Sequence, residues 1–187
     1  MHKQNLAAIK ESFGKVVYTH KTHEKDAEIQ GEYANRLKWI NLILLAATFG
    51  GLGSNLLWPT KLYMWSGFIA ATFALGVAVF ELSFNPEEAA ERHRLAAKEL
   101  WGIRERYTNL IADIKSESTS PTDLNLKRDQ LINELAVIYK FAPATSSKAY
   151  QLASTALKIN EEGTFNEGEV DKFLPKELWD SKAEKAE

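Results

Sequence analysis

No charged side chain occurs between Trp39 and Thr60, and none between Leu62 and Phe80, so that Lys61 alone interrupts two charge-free spans of 22 and 19 residues. At about 1.5 Å of rise per residue, each span is long enough to cross a hydrocarbon core of roughly 30 Å as a helix. A backbone in lipid must satisfy its own hydrogen bonds, which leaves paired helices as the form these spans can take. A helix buried in a water-soluble core usually keeps a polar stripe, and two adjacent charge-free spans of this length rarely survive in water. The expected fold class is therefore an all-α membrane protein. It is organised on a two-helix transmembrane hairpin over 39–81, with spans at 39–58 and 62–80. Trp39, Trp58, Tyr63 and Trp65 stand at the ends of those spans, where amphipathic rings favour the headgroup layer. A cleaved signal peptide does not fit, because the first apolar span starts some 38 residues in, without a processing-site pattern before it.

The remainder of the 187 residues is enough for one modest soluble unit. A net charge of -2 offers no basic excess for phosphate backbones, so direct DNA binding is not expected. With no cysteine, disulfide frameworks and cysteine-ligated zinc or iron–sulfur sites are excluded.

Either side of the hairpin the pattern stays helical. Residues 1–38 read as cytoplasmic N-terminal helices: Leu6, Ile9, Phe13, Val16 and Val17 make one apolar face, and Gly14 weakens the first helix. Ala27, Gln30, Ala34 and Leu37 continue a helical spacing towards Trp39, so the first membrane helix is expected to extend out of the bilayer. After Phe80, Asn85-Pro86-Glu87-Glu88 supplies a cap, a first-turn proline and first-turn acids. The helix it starts, within a segment 82–118, has Ala89, Leu95 or Ala96, Leu100, Ile103, Tyr107, Leu110 and Ile114 on one face. It is expected to return against the N-terminal segment. A break at Ser116–Thr122 leads into a helical C-terminal region, 122–179. There Leu124, Leu131, Leu135 and Ile138 mark one helix, Thr145-Ser146-Ser147 can start another carrying Tyr150, Ala153 and Leu157, and Val170 to Leu178 forms a small apolar closing segment. Residues 180–187 read as a flexible tail.

Two patterns mark the spans themselves. Small residues recur every four positions at Ala46, Gly50 and Ser54, and at Ala70, Ala74 and Ala78, with Gly51 and Gly67 alongside; in lipid such stripes let helices approach closely. They predict tight pairing within the hairpin, between subunits, or both. Asn41, Thr48 and Asn55 lie seven apart and form one polar line through the first span. That line should avoid lipid: it either bonds across a helix interface or lines a pore in an oligomer. Lys21, Lys25, Arg36, Lys38, Arg92, Arg94 and Lys98 flank one side of the hairpin against Lys61 on the other, which predicts cytoplasmic termini.

Catalytic constellations are missing. There is no phosphate-binding glycine loop, nucleophile elbow or metalloprotease helix motif, and no cofactor is implied. His20 and His23 share a helix face with Glu24 at a spacing that would suit a metal pair. In so polar a segment they read as solvated or hydrogen-bonded, and His93 as part of a charged helix face. Arg92 and Arg94, with His20 and His23, are the candidate ligand or gating residues, although interleaved glutamates also account for the arginines as surface ion pairs.

Three segments carry a resemblance to a known family: THKTHEKDAEIQGEYANRLKW before the membrane, the short turn at WPTK, and FNPEEAAERHRLAAKELWGIRERYTNLIADI after it. Together they resemble the SLATT group of bacterial two-helix membrane effectors, and the tail is similar to the subgroup with an additional helical C-terminal region. The resemblance implies a non-enzymatic effector of antiphage defence. It would sit in the bacterial inner membrane, encoded near a sensor such as a cyclic-oligonucleotide synthase or a reverse transcriptase. On triggering by the sensor or its nucleotide product, it would permeabilise the lipid bilayer as a homo-oligomer. The competing expectation is a non-conducting scaffold that anchors a cytoplasmic partner.

Overall fold

The computed structural model describes residues 2–166 and 168–179. Five α-helices follow one another among them: α1 (His2–Leu57), α2 (Lys61–Phe84), α3 (Pro86–Lys115), α4 (Pro121–Phe141) and α5 (Ser147–Lys158). Short 3-10 turns at Val170–Phe173 and Lys176–Leu178 complete the order, and no strand forms among the described residues. The chain is all-α, as its hydrophobic periodicity predicts.

The first helix departs from expectation in one respect. Gly14 does not break it, and the segment read as separate helices before Trp39 is one rod with the first span, 56 residues and ~84 Å long. A helical glycine costs about 1 kcal/mol relative to alanine. Packing of Ile9 and Val16 on either side, at 2% and 0% exposure, outweighs that cost.

Three residues reverse the chain. Trp58 N donates to Ser54 O at 2.8 Å, Thr60 N donates to the Asn55 side chain at 3.1 Å, and Thr60 Oγ1 accepts from Tyr63 N at 3.3 Å to cap α2. At the other end of α2, Asn85 takes the left-handed conformation (φ 38°) and its Oδ1 accepts from Glu88 N at 3.2 Å, with Pro86 opening α3. One residue thus separates α2 from α3, and both run back along α1.

Away from the spans, α1, α3 and α4 enclose a core of Ile9, Val16, Leu100, Ile103, Tyr107, Leu110, Leu124 and Leu131. The buried face of α3 runs from Pro86 through Ala90, His93, Ala96 and Ala97; Leu95 points outward and Ala89 is half-buried, so Ala90 and Ala96 take the places expected for Ala89 and for Leu95 or Ala96. Ser120 caps α4 through Asp123 N at 3.2 Å, and the Lys127–Asp113 (2.8 Å) and Arg106–Glu134 pairs tie α4 to α3.

The chain divides into two compact units, Met1–Ala153 and Ser154–Glu187. In the second, Asn166 N donates to Glu169 Oε2 at 2.9 Å, the Phe165 and Phe173 rings meet edge-on at 6.4 Å, and Trp179 Nε1 donates to Leu174 O at 3.1 Å. The segment read as a flexible tail, 180–187, lies outside the described residues.

Candidate functional site

The two apolar spans are built inside out. Only 6% of the most apolar stretch of the first rod is buried, and 17% of that of the second, where the core helix of a water-soluble protein would be mostly covered. Leu42, Ile43, Phe49 and Leu56 on α1, and Phe68, Phe73, Leu75 and Val79 on α2, all point outward. The inward face is small. A Cβ on Gly51 would lie 2.8 Å from Gly67 N and 2.9 Å from Gly67 Cα, so the two backbones touch there because neither residue has a side chain.

Around this contact the candidate packing residues divide. Ala70 and Ala74 are buried beside Gly67, Ala78 and Ser54 are half-buried, and Ala46 and Gly50 face outward. The polar line Asn41, Thr48 and Asn55 is half-buried and shares a face with Leu44 and Gly51, so it lies along the seam between α1 and α2. Thr48 Oγ1 donates to Leu44 O at 2.8 Å, and Asn55 holds the turn through Thr60 N. The Oδ1 of Asn41 is buried without a partner.

Further down α1 the polar residues enter the core. His23 and His93 are 2% and 6% exposed, and their Nδ1 atoms face each other at 2.9 Å across α1 and α3. One nitrogen must donate and the other accept, so a neutral pair fits this geometry. Burial, reinforced by the neighbouring His93, pushes His23 down to about 4 against the opposing pull of Asp26; burial also lowers His93. The expectation of a charged helix face around His93 is corrected accordingly: the ring replaces an apolar residue at the α1–α3 interface.

One turn along, Asp26 is 2% exposed and both its oxygens are used. Ser146 Oγ donates to one at 2.6 Å and Ser146 N to the other at 2.8 Å, while Ser146 Oγ accepts from Ala149 N at 3.1 Å to cap α5. This clamp, with the Tyr18–Tyr150 ring contact at 5.6 Å, seats the start of α5 on α1. Sequence reasoning missed it. An acid with a Ser-Ser pair 120 positions away carries no local signal, although the helix start at Ser146 did.

His20 does not join His23. It lines an open groove of ≈ 610 Å³ with Lys21, Glu24, Arg94, Lys98 and Trp101, outside the His23–His93 contact. Its Nε2 lies 3.6 Å from Glu24, its ring is 5.5 Å from Trp101, and burial holds its pKa below the usual value. Arg94 reaches the groove while paired with Glu91 at 3.1 Å; Arg92 pairs with Glu88 at 2.5 Å and lies outside it. Of the four ligand or gating candidates, the fold thus brings His20 and Arg94 together and leaves His23 and Arg92 elsewhere. The described residues contain no group of three or more His, Cys, Asp or Glu side chains placed to hold a metal ion.

The model of the SMODS and SLOG-associating 2TM effector domain family 4 matches residues 6–169. No curated protein and no solved structure matches the chain.

Proposed function

We propose that this chain, which belongs to the SMODS and SLOG-associating 2TM effector domain family 4, is a membrane-embedded defence effector acting by permeabilising the lipid bilayer. It acts as a homo-oligomer without catalysis, in the bacterial inner membrane, with both termini in the cytoplasm. The observation that carries this reading is the inside-out hairpin, whose large apolar side chains face outward around a seam of glycine and alanine. Such a surface is stable in hydrocarbon and not in water.

A single hairpin closed at Gly51 and Gly67 has no lumen, so conduction requires several copies about an axis. Ala46 and Gly50 offer the small outward stripe at which copies can approach. For Asn41, Thr48 and Asn55 to line water, α1 must rotate its seam face towards that axis. The unbroken α1 joins the groove at His20 to the seam at Gly51 in one rod, which supports transmission of such a rotation. The cationic side chains and exposed Trp101 of that groove suit a phosphate-bearing aromatic ligand, the chemistry of a nucleotide made by a neighbouring sensor. Any trigger must bind the open arrangement better than the closed one.

A scaffold reading draws on the outer side of α4, where Leu126, Ile132, Val137 and Phe141 are exposed and offer a docking face. Expression in bacteria carrying a membrane-potential dye, together with ion retention in liposomes, separates the two. The effector collapses the potential and releases trapped ions. Toxicity with potential and dye exclusion intact would overturn the effector reading.

A further inference from the structure

A second groove, ≈ 460 Å³, opens where the apolar spans give way to the charged helices. Its walls are Ala34 on α1 and Ala78, Leu82 and Pro86 on the α2–α3 side, and its polar side chains are Lys38, Glu81, Glu87 and Asn85, the last held by Glu88. Lys38 Nζ is already committed to Glu87, at 2.7 Å across the mouth. The half-buried Glu81 carboxylate makes no hydrogen bond or ion pair among the described residues. One turn beyond Lys38 on the same face of α1, the buried Oδ1 of Asn41 also lacks a donor. Two acceptors at the foot of the hairpin are therefore without donors, and buried polar groups of this kind are normally satisfied.

We propose that this groove binds a phospholipid with a primary ammonium headgroup. Three N–H donors on one cation match the unpaired carboxylate of Glu81, and Lys38, which spends one of its three donors on Glu87, keeps the others on the rim for the headgroup phosphate. The walls are apolar, and Leu82, Phe84 and Trp39 point outward at the same level, giving an acyl chain a path along the spans that a free cation would not use. A choline headgroup carries no N–H donor and a glycerol headgroup carries no cation, so both leave Glu81 unmatched. The bound lipid also wedges the junction of α1 with α2 and α3, beside the Asn85 break, and would make the closed hairpin depend on membrane composition.

The inference rests on the membrane reading, and the experiment separates the two. Flotation with vesicles of mixed phospholipid comes first: a chain that associates with no vesicle refutes the membrane reading itself. The detergent-solubilised full chain is then titrated, by native mass spectrometry, with phosphatidylethanolamine, phosphatidylcholine and phosphatidylglycerol of matched acyl chains. Phosphatidylethanolamine is expected to bind about tenfold more tightly than the other two, the scale of a charge-assisted hydrogen bond. Glu81→Gln should bring it to the phosphatidylcholine level, and Glu81→Asp should keep part of the preference, with helix content unchanged in both. Equal binding of the three lipids, an unaffected Glu81→Gln variant, or full competition by soluble phosphoethanolamine would overturn the proposal.

Discussion

Adding one methyl group at Gly51 tests the hairpin seam more sharply than any polar substitution. The Cβ of Gly51→Ala would sit 2.8 Å from Gly67 N and 2.9 Å from Gly67 Cα, where ordinary contact is 3.4–4 Å. Backbone cannot swing aside as a long side chain can. The two helices must therefore part by roughly 0.5–1 Å around that point, weakening the flanking contacts of Ala70 and Ala74 as well. Overpacking of this kind costs about 1–3 kcal/mol, which at roughly 2–4 °C per kcal/mol for a chain of this size lowers Tm by about 2–12 °C. Thermal unfolding in detergent micelles, followed by helix signal, reads the shift. Gly50→Ala is the control from the adjacent residue, since its Cβ would meet nothing within 4 Å. It should leave the hairpin's Tm unchanged or raise it slightly through helix propensity. Equal Tm for the two variants would refute the close approach of α1 and α2.

The buried histidines set a pH dependence with a definite sign. All three have native pKa values depressed below the usual value of about 6.5, with His23 near 4, so the unfolded chain binds more protons between those values. Stability should be complete above about pH 6.5 and fall as the pH drops towards 4, and a His23→Leu/His93→Leu chain should show a flatter profile in denaturant titrations. Asp26→Ala leaves the Ser146 N–H and hydroxyl without their acceptor, at a cost of about 1–3 kcal/mol. Hydrogen exchange over Ser147–Ala153 should rise about tenfold or more, while α3 amides keep their protection. Leucine at Asn41, Thr48 and Asn55 together should cut ion flux without preventing insertion; undiminished flux would remove those residues from any conducting path.

The spans, the turn and the Asn85-Pro86 helix start were legible because each rests on local chemistry: absence of charge, a three-residue reversal and a capping pattern. The small-residue stripes were legible as a class but not by role. Two stripes in one span are equivalent in sequence, and only the rotation of α1 about its axis puts Gly51 against Gly67 and turns Ala46 and Gly50 outward. The same holds beyond the spans, where His23 lies in a run of charged residues and reads as surface. Its burial depends on His93, 70 positions away, supplying the complementary nitrogen. The weakening expected at Gly14 leaves α1 continuous for the related reason that burial on either side outweighs a local preference.

The central claim is a helical pair in lipid with the larger cytoplasmic pieces on one side, and the absence of cysteine makes it directly measurable. Single cysteines at Phe49, Thr60, Phe73 and Ser116 can each be challenged with a membrane-impermeant thiol reagent in spheroplasts and in inverted vesicles. Ser116 should label only in inverted vesicles and Thr60 only in spheroplasts, with Phe49 and Phe73 protected in both. Labelling of Thr60 and Ser116 from the same side, or ready aqueous labelling at Phe49 and Phe73, would contradict it.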